Sequence, residues 1–401
     1  MNTKEARRLT YTIRSATLRN RNLGVAAAIG IFAAGSLLTA GPVNAAPAQT
    51  AQAASEAVGT VTVVAENLDN PRGLAFGPHG ELYIAEAGHG GTLCLGNGPE
   101  GQPQCVGLSS GISKLSHGVL TKFVDHLFSV ASPDGSFAQG LVAVATQGKR
   151  IYGQAAANTN AIPPEAPPGP VIDAARAQLG RTLAIKGDGT WSAIASTGDA
   201  DYAWTNAHKD LQLDQFPDAN PNGLAASGRT QYVADAGANL IAKVDSHGNV
   251  STLAYLQVPD LSITDAVPTC VAKAPDGSLY VGELLGGDFA PGHARVWRIA
   301  DGTATVKWTG FTGIQGCGFD DAGNFYATEF QANGMFLPDS SGAVIKVAPH
   351  GERTTLGASQ LHFPSGFAYH HGAVYVSNWS VMPAANGRGP TGQVVKISVE
   401  G

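Results

Sequence analysis

The stretch that decides the fold is Pro71-Arg72-Gly73-Leu74-Ala75-Phe76-Gly77-Pro78-His79-Gly80-Glu81-Leu82-Tyr83-Ile84-Ala85-Glu86. It contains a short apolar strand, a Gly-rich turn, and a second strand that carries a tyrosine and ends on a carboxylate. Similar segments occur six times, each marked by its tyrosine: Tyr83, Tyr152, Tyr232, Tyr280, Tyr326 and Tyr375. A unit repeated every ~45 to 50 residues is typical of a propeller or solenoid, because no single copy can bury its own apolar face.

The aligned copies predict an all-β fold, a six-bladed β-propeller with four strands in each blade. Short strands separated by Asp-Gly and His-Gly turns are the pattern of antiparallel meanders. The sixth copy ends one strand short, and an orphan strand over residues 60–68 precedes the first copy. We therefore expect the N-terminal strand to complete the last blade, closing the ring and protecting its edges. Residues 60–401 would form this single domain.

The first 45 residues have the pattern of a secretory signal peptide. A basic segment precedes an apolar run over residues 23–43, and Val43-Asn44-Ala45 offers small residues for cleavage. The run is also close to the roughly 20 residues of a membrane span, so an uncleaved anchor is the alternative. Arg7-Arg8 would be part of a twin-arginine signal, which is a further alternative for the export route. Residues 46–59, rich in Ala, Gln, Pro and Ser, predict a flexible lead-in. We expect a secreted protein with no membrane contact after cleavage.

Charge and cysteine content restrict the partners and the compartment. Charged residues make up 14% of the chain and the net charge is -6 with no basic stripe, so nucleic acid is not an expected partner. Cysteines in an exported chain predict disulfides. Cys94 and Cys105 flank a Gly/Pro-rich loop, which a bridge would stabilise by on the order of 3 kcal/mol. Cys270 and Cys317 fall on the inner strands of adjacent blades, either as a second bridge or as two buried thiols.

The long connections are all expected at one mouth of the ring. Connections between second and third strands, and between blades, emerge there, whereas the opposite mouth has only tight turns. Loops on a rigid scaffold carry function, so the loop-rich mouth is the predicted working face. Blade 2 is the weak copy, interrupted by residues 154–180 with a short helix predicted at residues 172–179. Trp204, Phe289 and Trp379 either stack against a ligand over the channel or pack under the long loops, and packing is the favoured alternative.

Two rows of side chains are predicted to face the mouth of the central channel. The first row stands before each strand-opening position: Arg72, Gln139, Asn222, Thr269, Gln315 and Ser365. The second row stands three residues after each tyrosine: Glu86, Asp235, Glu283, Glu329 and Asn378, with Ala155 in blade 2.

The four carboxylates of the second row would repel one another around the axis. At about 8 Å and an effective dielectric near 20, each pair costs roughly 2 kcal/mol. A bound calcium ion would offset this repulsion, with Asn222, Asp235, Glu283 and Glu329 as its candidate oxygen ligands. The alternative is that each carboxylate caps backbone N–H groups of the next loop, or pairs with Arg72 or Arg295.

Several motifs resemble the ScyD/ScyE family. They are Asn-Pro-Arg-Gly-Leu-Ala-Phe-Gly-Pro-His-Gly-Glu-Leu-Tyr-Ile-Ala-Glu-Ala-Gly at residues 70–88, the following Cys94/Cys105 loop, Val-Ala-Asp-Ala-Gly at residues 233–237 and Ala-Arg-Val-Trp-Arg-Ile at residues 294–299. The resemblance covers essentially residues 60–401. It implies an exported bacterial six-bladed propeller with NHL-type repeats and an SMP-30-like fold, without a settled reaction. More distant gluconolactonase and paraoxonase propellers hold a catalytic calcium with inner-strand Glu, Asn and Asp residues, and only Asn222 matches such a position.

Two functional hypotheses follow. The leading one is a secreted binding or scaffolding propeller whose loop-rich face and central channel hold a small molecule, a glycan or a protein. The competing one is a calcium-dependent lactonase or esterase in which Asn222 and the acidic ring position a metal that polarises an ester carbonyl. The sequence assigns no catalytic side chain.

Overall fold

The structure is a computed structural model that describes residues 59–97, 101, 103–212, 215–258, 264–287, 289–335, 339–381 and 391–399. The predicted signal peptide and nearly all of the predicted lead-in lie outside these residues. In the described part, no helix has the length and apolar character needed to cross a membrane.

Six antiparallel sheets are arranged as six blades. Strand β1 (Val61–Leu68) precedes blade 1, which contains β2 (Pro71–Phe76), β3 (Leu82–Glu86), β4 (Leu93–Asn97), β5 (Pro103–Ser116) and β6 (Val119–Ala131). Blade 2 contains β7 (Leu141–Gln147), β8 (Arg150–Ala155), β9 (Arg181–Ile185) and β10 (Trp191–Ser196). Blade 3 contains β11 (Pro221–Ser227), β12 (Thr230–Asp235), β13 (Leu240–Val244) and β14 (Val250–Tyr255).

The second half of the chain repeats the pattern. Blade 4 contains β15 (Pro268–Lys273), β16 (Leu279–Glu283), β17 (Ala294–Ala300) and β18 (Thr303–Phe311). Blade 5 contains β19 (Ile314–Phe319), β20 (Phe325–Glu329), β21 (Ser341–Val347) and β22 (Arg353–His362). Blade 6 contains β23 (Phe367–His370), β24 (Ala373–Asn378) and β25 (Gly392–Ser398), and β1 pairs with β25 as its fourth strand.

The prediction of a six-bladed β-propeller closed by an N-terminal strand is therefore confirmed. The first strands of successive blades contact one another in a complete circuit, from β2 through β7, β11, β15, β19 and β23 back to β2. Because the chain's first and last described strands share one sheet, their hydrogen bonds close the ring.

Small residues let the innermost strands approach closely. A Cβ added to Gly73 would stand 2.8 Å from the Ala143 Cα of blade 2, and one added to Gly223 would stand 2.8 Å from the Cys270 Cα of blade 4. A Cβ on Gly366 would stand 2.1 Å from the Arg72 carbonyl oxygen of blade 1. Backbone atoms cannot yield locally as a flexible side chain can, so the strand-opening position requires a very small residue in these blades.

The repeated tyrosines pack between blades in the second half of the ring. Tyr280 of blade 4 meets Phe319 of blade 5 edge to face at 5.1 Å, and Tyr326 of blade 5 stacks on Phe367 of blade 6 at 5.3 Å. Tyr375 of blade 6 contacts Phe76 of blade 1 at 4.8 Å between ring centroids. These aromatic pairs join consecutive sheets, which explains why the tyrosine recurs with the blade period.

Three local elements differ from or extend the four-strand plan. Blade 1 has a fifth strand, because β4 pairs with the first half of β5 where the sequence predicts only a loop. Helix α1 (Pro170–Gln178) confirms the helix predicted inside blade 2. Helix α2 (Thr197–Ala207) occupies a connection predicted to be a loop. All three lie on the loop-rich face, which we define as the connections between blades and between the second and third main strands of each blade.

We expect Gly366→Ala to destabilise the ring by about 1–3 kcal/mol, because its Cβ would overlap backbone atoms of the neighbouring blade. Gly187→Ala is the matched control, since no heavy atom lies within 4 Å of the added Cβ and its φ is ordinary. Chemical denaturation of both variants measures the difference. Equal stabilities would contradict the close-approach requirement.

Candidate functional site

Four of the six residues predicted for the first row lie on β-bulges at the loop-rich ends of the innermost strands. In blade 3, Pro221 pairs with Asp235 while Gly223 pairs with Ala234, which leaves Asn222 as the extra residue. A bulge bends a strand and redirects a side chain. Equivalent irregularities carry Arg72, Thr269 and Gln315 in blades 1, 4 and 5.

Gln139 does not belong to this row, which corrects the sequence alignment of blade 2. The bulge in β7 falls between Leu141 and Ala143, so its extra residue is Val142, a buried apolar side chain. Gln139 lies two residues before β7, where it forms an isolated bridge with Val130. Blade 2 thus contributes an apolar residue to a ring position that is polar in the other blades.

Arg72 is a buried guanidinium that connects three blades. It donates through Nη1 to the carbonyl of Ser380 in blade 6 and through Nη2 to the carbonyl of Ala138, 3.1 Å away, on the segment that enters blade 2. Burial lowers its pKa to about 10. The prediction that Arg72 pairs with a mouth carboxylate is wrong for the described residues, because its hydrogen bonds go to backbone carbonyls.

The other first-row residues are buried and play different parts. Thr269 donates from Oγ1 to the Ile314 carbonyl at 2.6 Å, which joins blades 4 and 5. Gln315 is 5% exposed, and its Nε2 has no acceptor among the described residues. Asn222 and Ser365 are also buried, at 8% and 6% exposure. This row is therefore mainly a connection between blades at the top of the ring.

The second row occupies the last position of each second strand, and four of its members, Asp235 among them, cap the segment that leads into their own blade. Glu86 accepts the Asp69 N–H at 2.6 Å, Glu329 accepts the Thr312 N–H at 2.9 Å, and Asn378 accepts the His362 N–H at 2.6 Å.

Asp235 forms the densest cap of the second row. Its Oδ1 accepts the N–H groups of Asn220 at 2.7 Å, Gly237 at 3.1 Å and Ala238 at 2.9 Å. Asn220 lies in the connection before β11, and Gly237 and Ala238 lie in the connection between β12 and β13. One charged acceptor therefore holds two connections together through strong hydrogen bonds.

Two carboxylates of the second row also bind cations or polar hydrogens on outer strands. Glu86 accepts hydrogen bonds from Ser113 Oγ and Lys122 Nζ, each at 2.5 Å. Glu283 accepts a hydrogen bond from Arg295 Nε and another, at 2.8 Å, from Trp297 Nε1. These partners lie on the third and fourth main strands, farther from the axis than the second strand. The carboxylates therefore turn into their blades and do not face an open channel as a repelling ring, which corrects that expectation.

Burial leaves several of these acids with raised pKa values. Burial raises the pKa of Glu329 to about 7, against the opposing effects of the Thr312 N–H and the Arg353 charge. Burial also raises the pKa of Glu283 to about 7, although the bonds to Arg295 and Trp297 favour the charged form.

A cluster of four buried aspartates surrounds the start of blade 3, and only one of them belongs to the predicted rows. Burial together with the charge of the neighbouring Asp235 raises the pKa of Asp201, on α2, well above its ordinary value. Burial raises the pKa of Asp235 to about 6 and that of Asp218, which also feels the Asp235 charge, to about 7. Burial likewise raises the pKa of Asp265. The cluster holds protons near neutral pH and buries fewer charges than its composition implies.

The predicted calcium ligands do not form a fitting oxygen set in this arrangement. Asp235 Oδ1 is surrounded by three backbone N–H groups, and both oxygens of Glu283 accept side-chain hydrogens. Within the described ranges, no group of three or more His, Cys, Asp or Glu residues could hold a metal ion. Calcium binding through Asn222, Asp235, Glu283 and Glu329 stays a prediction.

Both cysteine pairs form disulfides. Cys94 and Cys105 face each other across β4 and β5, so the bridge fixes the extra hairpin of blade 1. Cys270 and Cys317 join the innermost strands of blades 4 and 5, with a Cα separation of 5.8 Å. The bridge prediction is confirmed for the first pair, and the open alternative for the second pair is settled as a bridge.

Two tryptophan–histidine stacks lie on the loop-rich face. Trp379 follows β24 and stacks on His362 with 4.1 Å between ring centroids and 12° between ring planes. Trp204 on α2 stacks on His208 at 4.1 Å and 19°. All four side chains are partly exposed. Trp204 and Trp379 therefore pack against protein side chains, and stacking of either one on a ligand stays a prediction.

The fold resembles solved propeller structures at low sequence identity. A protein of unknown function from Bacteroides thetaiotaomicron has a TM-score of 0.51 and 10% identity, covering 85% of this chain and 76% of that one. A gluconolactonase from Xanthomonas campestris has a TM-score of 0.49 and 10% identity over 84% of this chain and 89% of that one. A virginiamycin B lyase from Staphylococcus aureus has a TM-score of 0.44 and 10% identity over 85% and 99%.

These likenesses concern the fold alone. No protein-family model matches the chain, and no curated protein matches it. The chain is a six-bladed β-propeller. Its chemistry has to be argued from its own side chains.

We expect the folded protein to become more stable as pH falls from 8 to 6.5. Asp218 and Glu329 have pKa values of about 7, above their ordinary values, so the native state binds more protons than the unfolded state in this window. Their stabilisation is therefore lost as pH rises through 7, by about 1 kcal/mol for each group over this range. Below pH 6.5 the lowered pKa values of His362 and His370 act in the opposite direction.

Denaturation of Glu329→Gln across this window tests the origin of the effect. The variant should have a shallower pH dependence and a higher stability at pH 8 than the parent, because the amide cannot ionise. Glu352→Gln, at an exposed turn, controls for the loss of one formal charge. An unchanged slope in Glu329→Gln would contradict the assignment.

Proposed function

We propose that this chain is an exported propeller of the ScyD/ScyE kind that acts by binding, and that its loop-rich face presents the binding surface to a glycan or a protein. The observation that carries the proposal is that side chains of the second row hold the loops of this face in place. Glu86, Asp235, Glu329 and Asn378 accept backbone N–H groups from the segments that enter their blades. Polar groups that hold loops in place support a rigid surface, and a rigid surface loses little entropy on binding.

Further hydrogen bonds attach the connections of this face to one another. Asn158 Nδ2 donates to the Ala219 carbonyl at 2.8 Å, and the Ala157 N–H donates to Asn220 Oδ1 at 3.0 Å, which links a blade 2 loop to the start of blade 3. Thr205 Oγ1 on α2 donates to the Asp218 carbonyl at 2.8 Å. These bonds favour a preformed surface over one that orders only when a ligand arrives.

The aromatic stacks supply candidate contact positions on this surface. Trp379 packs over Phe363, which with Phe330 and Val381 forms a small apolar cluster under the loops. Trp379 itself is partly exposed beside His362. A tryptophan that is partly packed against the protein and partly exposed to solvent offers a ligand a large, rigid contact area at low entropic cost.

Export is part of this proposal. Two disulfides fit an oxidising compartment, where such bonds form and persist. The basic and apolar pattern of the first 45 residues supports a signal peptide. A calcium-dependent lactonase or esterase is less well supported, because Asp235 Oδ1 and both oxygens of Glu283 already accept hydrogen bonds, which leaves Asp235 Oδ2 as the one oxygen of these two carboxylates that is unpaired among the described residues.

The test combines binding arrays with an activity panel. The mature chain is applied to glycan and peptide arrays, and the same preparation is assayed on lactones and esters with and without added calcium. We expect saturable binding to array members, at least tenfold weaker for Trp379→Ala, and no turnover. Trp191→Ala, which removes a partly exposed tryptophan beside a tight turn at the opposite mouth, is the matched control and should retain binding.

Calcium-dependent hydrolysis that disappears in Asp235→Asn would overturn the binding proposal in favour of the lactonase hypothesis. Array binding that Trp379→Ala and Trp191→Ala reduce equally would remove the loop-rich face as the binding surface.

A further inference from the structure

A crevice between blades 2 and 3 opens on the mouth opposite the loop-rich face. We call this mouth the turn face, defined by the tight turns that connect first to second and third to fourth strands. The crevice has a volume of about 310 Å³, which lies at the small end of the range of ligand pockets. Its walls come from strands β8, β9 and β10 of blade 2 and from strand β12 and two turns of blade 3.

The backbone of blade 3 presses closely against blade 2 beside this crevice. Gly248, in the turn between β13 and β14, has φ +85°, and an added Cβ would stand 2.2 Å from the Ile194 carbonyl oxygen of β10. Only glycine accommodates both the positive φ and the close approach at this position. The wall of the crevice is therefore fixed by the backbone of both blades.

Two arginines and a histidine line the crevice with no matching set of carboxylates. Arg150 begins β8, Arg229 lies in the turn between β11 and β12, and His247 lies in the turn between β13 and β14. Among the described residues, neither arginine side chain has an ion pair or a hydrogen bond to a carboxylate, and both are exposed. Arginine presents paired N–H groups that match the oxygens of a carboxylate or a phosphate.

Asp245 is the acidic member of the lining, and its oxygens are already engaged. Oδ1 accepts the N–H groups of His247 at 2.8 Å and Asn249 at 2.9 Å, and Oδ2 accepts Asn249 Nδ2 at 2.8 Å. These bonds orient the carboxylate toward its own turn. Neither arginine is bonded to it in the described part of the chain, so both guanidinium groups keep their donors for a ligand, although Asp245 adds one negative charge to the lining.

Gln231 adds an acceptor that lacks a donor. Its Nε2 donates to the Arg229 carbonyl at 3.0 Å, which fixes the amide, while its Oε1 is buried without a donor in the described part of the chain. The residue is 1% exposed and lines the crevice beside Tyr152, which is also buried. An unpaired buried acceptor is costly, and a hydroxyl or N–H group of a ligand would satisfy it.

We propose that this crevice is a binding site for a small hydroxylated anion, a phosphate or carboxylate whose charge contacts Arg150 and Arg229 and whose hydroxyl donates to Gln231. The site lies on the opposite mouth from the surface proposed for a glycan or protein, so it is independent of that function. A molecule of the size of glycerol 3-phosphate or glycerate is small enough for the volume of the crevice.

Calorimetric titration of the mature chain at low salt tests the proposal, with glycerol 3-phosphate, glycerate and inorganic sulfate as the probes. We expect saturable binding of at least one of the two hydroxylated probes. Arg150→Ala/Arg229→Ala should weaken it at least tenfold, and Gln231→Leu should weaken the hydroxylated probes more than sulfate, which carries no hydroxyl at neutral pH. Both arginines are exposed, so thermal denaturation should show that the double variant remains folded.

Arg298→Ala is the matched control, because this arginine lies beside a turn of blade 4 and already pairs with Asp276 at 2.9 Å. It should bind the probes like the parent. No saturable binding of any probe at millimolar concentration, or equal binding by the double variant and the parent, would overturn the site. Inorganic sulfate binding as tightly as both hydroxylated probes would overturn the role of Gln231.

Discussion

The close approach of the six innermost strands is the constraint on which the rest of this structure depends. Gly73, Gly223, Gly316 and Gly366 occupy places where a side chain would meet backbone or side-chain atoms next to it, and Ala143 and Cys270 take the equivalent places in the other blades. In blades 1 to 5 the innermost strand bulges beside this place, and in blades 1, 3, 4 and 5 the bulge carries the first-row residue. The close approach also allows the Cys270–Cys317 bridge, since it spans two neighbouring inner strands.

The ends of the second strands turn this tight ring into a supported loop-rich face. A propeller with long connections has many backbone N–H groups outside its sheets, and each needs an acceptor. Glu86, Asp235, Glu329 and Asn378 supply acceptors at a repeated position, so one structural device serves four blades. Burying these acids has a cost, which appears as pKa values raised toward neutrality for Asp235 and Glu329. A repeated acidic position in a propeller sequence can thus be structural without any metal or catalytic role.

The sequence was sufficient for the ring but not for the site. The repeat length, the repeated tyrosines and the glycines of the turns predict six blades and the N-terminal closing strand. These features can be recognised from the sequence because each one is local and recurs in successive blades. Gln139 was misplaced because Gly140 resembles a strand-opening glycine, whereas the actual opening residue of blade 2 is Ala143. The side-chain directions of the second row depend on partners such as Lys122 and Arg295 on other strands, and strand alternation does not reveal them.

The aspartate cluster and the crevice were missed for a related reason. Asp201 and Asp218 stand in a connection that reads as a polar loop, and only the packing of α2 on blade 3 buries them beside Asp235. Arg150 and Arg229 belong to tight turns of different blades, where an arginine has no distinctive pattern. Their relation becomes visible only when the two blades are placed side by side.

The central claim is that the second-row side chains hold the loops by capping backbone N–H groups, and hydrogen exchange at the Thr312 amide tests it most directly. Exchange of the peptide that contains Thr312 is followed by mass spectrometry in the parent, in Glu329→Gln and in Glu329→Ala, with and without calcium. The account predicts protection in the parent that calcium does not change, largely kept by the Gln variant, whose amide oxygen still accepts the bond, and lost in the Ala variant. Protection that appears only with calcium, or that survives in Glu329→Ala, would contradict it.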